Sequence, residues 1–493
     1  MPGRKYGFFR CTKCRAHWES AFVYCVHGTN DVYYQQDCKS CNTACDPYKV
    51  ENLKCSMCGQ TKCICSAEDP PKPQRQPRDS RRNRAAQAQA NNYVPEATNF
   101  SGDSKACNKS IDAHTSHETI STRSTVSSNN QSSMQNSMTD IDGGALEGGG
   151  QILRNTASLS CLLHKPVRVY NIRAGRSQPG LRPQHLTGLQ LTRDVCHGKL
   201  EGDNVGSTEI RFFPGTIQSG EYHGDTGTAG SICLLMQVAV PCLIYADNHT
   251  NLTLKGGTNA DMAPQLDYML MVFKPVAEKF GMKFDCRIKR RGYYPKGGGE
   301  ICVTCHPCKQ LTAVTMTDRG NVKRVYGRSF VAGVLPIRVA QIMAKVAEEI
   351  IHQEYKDVPI NIEVVKEESA VGTGTGIILV AETTTGCYLG GSALGKKGKQ
   401  AEQVGQEAAE ELVNNLYHGG CVDDYIQDQV ILLMALAKGR SQIRCGALSL
   451  HTETAIHVAK QLTEAKFKVT EINKGATLIE CEGIGLINSQ VGN

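Results

Sequence analysis

DGGALEGGGQILR at residues 142–154, continued by IRAGRSQPGLRPQHLTGL at 172–189, decides how the rest of the chain is read. A carboxylate, Glu147, precedes three glycines, and Ile152, Leu153, Leu159, Leu162 and Leu163 then recur at helical spacing. A glycine-rich turn that feeds a helix start points several backbone N–H groups outward, which suits an anion. Arg154 falls one turn inside that helix. Arg173 and Arg176 lie in a second basic turn, and Gln184 and His185 stand near the start of another helix. Three planar guanidiniums around one turn fit phosphate, because each fork grips two oxygens. The plainer alternative is a hairpin with solvated arginines.

Working outward, the N-terminus reads differently. Ten of the 23 cysteines fall in the first 65 residues. They include Cys11-x2-Cys14, Cys38-x2-Cys41 and Cys55-x2-Cys58, with Cys25, Cys45, Cys63 and Cys65 between or after them. CxxC pairs in a reducing compartment are metal ligands first, and two such knuckles complete a tetrahedral thiolate cage for Zn²⁺. Three knuckles imply one full site and a second that borrows from Cys25, His27, Cys63 or Cys65. Free thiols in a packed core are the alternative. Phe8, Phe9, Trp18, Phe22, Tyr24, Tyr33, Tyr34 and Tyr48 are spaced mostly as in strands. Most belong in a core, and a few beside Lys and Arg are placed to stack on bases.

The formal charge is +7, and its distribution is uneven. KPQRQPRDSRRNR at 72–84 holds six Lys and Arg against Asp79, a run that suits a solvated segment, nucleic acid or nuclear import. The stretch to residue 138 is rich in Ser, Asn, Gln, Thr and Pro, too poor in apolar side chains to offset its ordering entropy. It is expected to be disordered. No secretory leader precedes the cysteines, and the longest apolar run, 232–246, is broken by Gln237 and Pro241. A protein that is not secreted, without membrane partners, and placed in the nucleus or cytoplasm is expected.

From residue 139 onward helical and strand patterns alternate, and glycine-rich turns recur at 147–151, 254–258 and 295–300, which hints at a repeated α/β unit. Cys302, Cys305, Cys308 and His306 imitate a metal motif. They read as a strand whose alternating faces keep the side chains apart. His451 follows a strand-like GALSL and opens a helix, where the positive helix end favours a neutral, nucleophilic imidazole.

EGGGQILR, IRAGRSQPGLRPQHL, TAGSICLLMQ, LKGGTNADMAPQLDY, RGYYPKGGGE and LHTETAIH, in that order, resemble the eukaryotic RNA 3′-terminal phosphate cyclases, over about residue 139 to the C-terminus. KYGFFRCTKCRAHWESAFVYCVHGTNDVYYQQDCKSC with CSMCGQTKCIC is similar to the zinc domain of the zygote-arrest family, a three-CxxC finger associated with RNA binding. Two departures stand out: no further Cys pair and His follow Cys65, and Cys45 is an addition.

The resemblance implies an α/β (α+β) fold of repeated four-stranded modules with packed helices, a small inserted α/β domain, and a small β-rich zinc domain ahead of them. The expected divisions are 1–66 zinc domain, 67–138 linker, 139–310 core modules, 311–419 insert, and 420–493 last module. It implies ATP as cosubstrate, Mg²⁺ or Mn²⁺, and RNA with a 3′-phosphate end as partner, with mRNA as a further partner of the zinc domain. His451 matches the residue that is adenylylated, and Glu147 the carboxylate that holds the divalent ion. Arg154, Arg173, Arg176, Gln184 and His185 match positions that bind phosphate or the RNA end. Gln237, Pro264, Tyr425, Asp428 and Gln429 match the nucleotide pocket, Gln237 and Pro264 by analogy alone. The rival readings are a non-catalytic RNA-binding relative of ribosome assembly and an mRNA regulator acting through the zinc domain.

Overall fold

A computed structural model describes residues 3–25, 30–32, 35–38, 41, 43–52, 138–473 and 475–492. The chain divides into two compact units, Met1–Ile120 and Ser121–Asn493. The ligand candidates Cys55, Cys58, Cys63, Cys65 and His27, the basic run and nearly all of the expected linker lie outside the described residues.

In the N-terminal unit, β1 (Gly3–Arg10) pairs antiparallel with β2 (His17–Cys25) and with β5 (Pro47–Glu51). A second ladder joins β3 (Gln36–Asp37) to β4 (Ala44–Cys45). Phe9, Val23 and the thiols of Cys11, Cys25, Cys38 and Cys45 form its buried cluster. So small an apolar core leaves the sulfurs to supply stability through a metal.

The C-terminal unit repeats one topology three times. The first module runs β6 (Thr139–Asp142), α1 (Gly150–Leu163), β7 (Val167–Tyr170), α2 (Pro183–Val195), β8 (Lys199–Glu201) and β9 (Ile210–Phe213), in sheet order β6-β7-β9-β8. The second runs β10 (Glu221–Asp225), α3 (Ile232–Leu243), β11 (Thr250–Gly256), α4 (Leu266–Tyr268, a π turn at Met269–Phe273, then Lys274–Lys279), β12 (Lys283–Gly292) and β13 (Gly299–His306). In each module the first two strands are parallel, because the helix between them supplies the crossover, and the remaining pairs are antiparallel. α3 is buried over nearly all its length, which explains why it is apolar except at Gln237.

The third module opens with β14 (Thr315–Met316) and is then interrupted by the insert: β15 (Val322–Ala332), α5 (Ile337–Glu354), β16 (Ile360–Glu367), β17 (Ala370–Val371), β18 (Thr375–Thr383), β19 (Tyr388–Leu394) and α6 (Ala401–Tyr417). It resumes with α7 (Asp424–Leu436), β20 (Lys438–Cys445), α8 (Leu450–Leu462), β21 (Lys466–Asn473) and β22 (Ala476–Ile484). β14 lies parallel to β20, so Thr315–Met316 belongs to the third sheet and the insert follows that module's first strand. The glycine turns that hinted at repetition are not equivalent. The first follows the first strand of its module, the second follows a second strand, and the third joins the last two.

The insert docks on the second module. β17 extends that sheet beside β12, and Arg291 on β12 pairs with Asp267 at 2.6 Å and with Glu367 of the insert at 3.2 Å. β13 alternates buried and half-buried residues. Cys305 points into the core, while His306 meets Asp285 at 2.8 Å.

Candidate active site

The turn between β6 and α1 has the backbone that its glycines permit. Gly148 takes φ 59°, the left-handed region that glycine enters freely. A Cβ on Gly150 would stand 2.6 Å from His185 Nε2 and 3.2 Å from Arg154 Nη1, so only glycine lets both side chains close over the helix start. α1 has no side-chain cap, which leaves its first N–H groups unspent, whereas Asp423 and Ser449 cap α7 and α8.

Burial, together with Arg173, Arg154 and Arg182, pushes the His185 imidazole down to about 3, so the ring is neutral at pH 7. Its Nδ1 accepts the Arg182 N–H at 3.2 Å, which puts the ring proton on Nε2, beside Gly150. Arg173 spends part of its fork on the carbonyls of Gln178 and Gly180, at 2.8 and 3.0 Å. Arg176 pairs with the Glu147 carboxylate and donates to the Glu147 carbonyl at 3.1 Å. Glu147 Oε2 is buried without a partner among the described residues. Gln184 Oε1 accepts the Ser231 N–H at 2.7 Å, fixing the start of α3. The result is a cationic corner with N–H donors facing one turn, an arrangement that suits phosphate oxygens.

His451 is the second residue of α8 and is exposed. Gln427, buried on α7, fixes that helix start: its Oε1 accepts from the Ser449 N–H at 2.8 Å and from Thr452 Oγ1 at 2.6 Å. The imidazole Nδ1 lies 2.5 Å from Gln151 Oε1, and Gln151 Nε2 lies 2.5 Å from Asp428 Oδ2. Burial pushes the Asp428 carboxyl up to about 7, against the pull of Arg154.

A cleft of about 600 Å³ opens in front of His451, lined by Arg154, Gln237, Pro264, Tyr425, Asp428 and Gln429. That volume is of the size small ligands occupy. Tyr425 is 45 % exposed and stands edge-on to Tyr268 at 5.7 Å, which leaves a ring face open. Gln429 Nε2 donates to the Tyr425 carbonyl at 2.6 Å, and its buried Oε1 has no partner among the described residues. Arg154 lines this cleft and the cationic corner alike, so the two adjoin.

Sequence reasoning missed two groups. Gln151 stands inside the quoted EGGGQ, but an amide carries no charge signal and its partners lie some 300 residues away. The insert supplies a wall of the cleft through Ser392, Lys396, Lys399 and Glu411; Glu411 accepts the Ser392 N–H at 2.7 Å and burial pushes it up to about 7. A signal for Gln237 did exist. Pro241 sits inside α3 and has no N–H to offer the Gln237 carbonyl, so the helix loses a rung at the residue facing the cleft.

In the N-terminal unit Cys11, Cys14, Cys38 and Cys41 bring their sulfurs within 4.8 Å of one another. The Cys11–Cys41 and Cys14–Cys38 separations are 3.4 Å. Four thiolates about 2.3 Å from one Zn²⁺ would lie ~3.8 Å apart, so a small expansion admits the ion. The Cys14 N–H, 3.4 Å from Cys11 Sγ, pulls that thiol down to about 6, which favours the thiolate a metal needs. Cys25 instead turns its sulfur to the Asn30 carbonyl at 3.8 Å, and Cys45 to that of Thr43 at 3.2 Å. Among the described residues no other group of this kind occurs.

Comparison with known proteins agrees with both halves. A family profile described as a zinc-binding domain, of the three-CxxC ribbon kind, matches residues 4–92, and with the four converging cysteines it supports zinc binding there. The profile described as RNA 3′-terminal phosphate cyclase matches residues 145–469. The RNA 3′-terminal phosphate cyclase of Drosophila melanogaster is 42 % identical over 356 residues, covering 72 % of this chain and 99 % of that protein. A probable cyclase of Dictyostelium discoideum is 42 % identical over 366 residues, 72 % and 84 % of the two chains. The cyclase of Pyrobaculum aerophilum is 42 % identical over 345 residues, 70 % and 98 %. No helix among the described residues is long and apolar enough to cross a membrane. The chain therefore belongs to the RNA 3′-terminal phosphate cyclase family.

Proposed function

We propose that His451 carries AMP in an ATP-dependent conversion of RNA 3′-phosphate ends to 2′,3′-cyclic phosphates. His451 Nε2 attacks the α-phosphorus of ATP and pyrophosphate leaves, giving a phosphoramidate. An oxygen of the RNA 3′-phosphate then attacks that phosphorus, the imidazole leaves, and an RNA–pp–A end forms. The neighbouring 2′-hydroxyl attacks the RNA phosphorus, AMP departs, and the ring closes, helped by both groups sitting on one ribose.

Tyr425 and Pro264 enclose the adenine, with Gln237 and Gln429 on its polar edge, while Arg154, Arg173, Arg176 and His185 hold phosphoryl oxygens as negative charge develops. A divalent ion, Mg²⁺ or Mn²⁺, would be held by Glu147, whose orphaned Oε2 fits a hard cation, and would supply charge neutralisation at the phosphates. The observation that carries the reading is His451 at the mouth of the cleft, with Arg154 shared between cleft and cationic corner.

For the zinc unit we infer a hold on RNA, mRNA included, supported by the exposed ring of Tyr48 and by Lys49 over Phe8 at 5.2 Å. A nuclear site of action fits the basic run at 72–84.

Incubation with ATP labelled in the α-phosphate and a divalent ion should leave acid-labile, alkali-stable label on the chain. An RNA ending in a 3′-phosphate should discharge that label and acquire a phosphatase-resistant end, whereas a 3′-hydroxyl RNA should not. His451→Ala should take no label. Label retained by His451→Ala would remove His451 from this role.

A further inference from the structure

We propose that Gln151 is a positioning residue, which holds the His451 ring as the Nδ1–H tautomer and leaves the Nε2 lone pair for the cleft. The argument is one of donors and acceptors. An ionised Asp428 only accepts, so the Gln151 side chain must turn its NH2 toward Asp428 Oδ2, 2.5 Å away. That turns Gln151 Oε1 toward His451, 2.5 Å from Nδ1. A carbonyl oxygen also only accepts, so Nδ1 must carry the proton and Nε2 the lone pair.

Three features keep this relay in one setting. Gln151 is 4 % exposed on the first turn of α1, so its amide is not free to exchange partners with solvent. Burial raises the Asp428 carboxyl to about 7 and Arg154, on the same helix, opposes that shift, so above that pH Asp428 is ionised and the relay holds this setting. Gln427 fixes the backbone on which His451 rides, through Ser449 and Thr452. Four neighbouring groups on two helices of different modules therefore decide which imidazole nitrogen is nucleophilic. An unconstrained histidine side chain favours the opposite tautomer, with the proton on Nε2, so the choice made here has a chemical consequence. The inference rests on the nucleophile reading only for that consequence; the tautomer itself is a property of the unliganded chain.

The test uses the full-length chain with ¹⁵N-labelled histidine. Its long-range proton–nitrogen spectrum without ATP, recorded above pH 7 where Asp428 is ionised, should contain an Nδ1–H imidazole signal that is lost in His451→Asn, separate from that of His164, whose Nδ1 lies 2.9 Å from the Gly215 carbonyl. In Gln151→Met that signal should shift toward the Nε2–H form. Single-turnover adenylylation at saturating ATP should slow about 10- to 100-fold in Gln151→Met, the loss expected for one hydrogen bond to a reacting group, with half-saturation by ATP unchanged. Gln151→Glu combined with Asp428→Asn should recover much of the rate, because the new amide at 428 donates and the new carboxylate at 151 accepts from Nδ1–H. His451 found as Nε2–H in the unmodified chain, or wild-type labelling by Gln151→Met, would overturn the inference. An Nδ1–H ring in a chain that takes no label would leave the positioning role standing and remove only the nucleophile reading.

Discussion

The backbone N–H of Glu147 donates to the hydroxyl of Thr454 at 3.2 Å, across 307 residues of chain. Thr454 gives its own proton to the Leu450 carbonyl at 2.7 Å, so a lone pair is free to take the Glu147 N–H. The glycine turn of the first module is thus seated on the helix of the last module that presents His451. The site is assembled by closing the first module on the third, and neither alone contains it.

Thr454→Val keeps the shape of that contact and removes the acceptor. A loss of about 1 kcal/mol in stability is expected, the net worth of one hydrogen bond. Cyclisation should fall by more than stability does, because Glu147 and the turn shift together. Thr454→Ser should retain both. Denaturant titration beside a cyclisation assay separates the two effects.

Three carboxyls near the cleft are pushed up by burial: Asp423 to about 6, Asp428 and Glu411 to about 7. Each binds its proton more tightly folded than unfolded, so each contributes stability that is present below about pH 4 and lost as pH rises through 6 to 7. Asp428→Asn removes one such contribution. The variant should gain on wild type as pH rises from 4 to 8, by on the order of 4 kcal/mol. Melting curves across that range check the sign; a constant offset between the two proteins would reject it.

Much of the site was legible because its residues advertise their chemistry. Glycines before a helical pattern and clustered arginines have few other uses, and His451 at a helix start is visible from strand and helix patterns alone. The βαβαββ repetition was only hinted at, since the glycine turns that suggested it occupy three different places in the module. What stayed hidden depends on tertiary docking. Gln151 gains its meaning from Asp428 and His451, which local periodicity cannot bring near. The KKGKQ segment at 396–400 lies ahead of α6, and Lys396 and Lys399 in it line the cleft, a placement that no local pattern signals.

The zinc unit should follow its metal. Cys14→Ser removes one of four converging sulfurs and should abolish binding and the fold of this unit together. Cys45→Ser should keep the ion and cost only what a buried thiol contributes to packing. Metal analysis of full-length protein, with chelator titration followed by circular dichroism, distinguishes them. Zinc retained by Cys14→Ser would exclude the Cys11, Cys14, Cys38 and Cys41 cage.

The docking of the insert rests on charges rather than on apolar area alone. Arg291 and Asp267 are each 5 % exposed and meet through two bonds of 2.6 and 2.7 Å. Glu367 of the insert joins Arg291 at 3.2 Å and Arg328 at 2.6 Å. Burial alone would raise Asp267, and Arg291 overrides it, holding the carboxyl below its ordinary range. Arg291→Met leaves the buried Asp267 and the half-buried Glu367 with only Arg328 between them, which should cost about 3–5 kcal/mol. Adding Asp267→Leu to that variant should return part of the loss, because an uncompensated buried charge is worse than none. Since the insert forms a wall of the cleft through Ser392 and Glu411, Arg291→Met should also raise the ATP concentration needed for half-maximal adenylylation. If it lowers stability while leaving that concentration unchanged, the insert holds its wall without this pair.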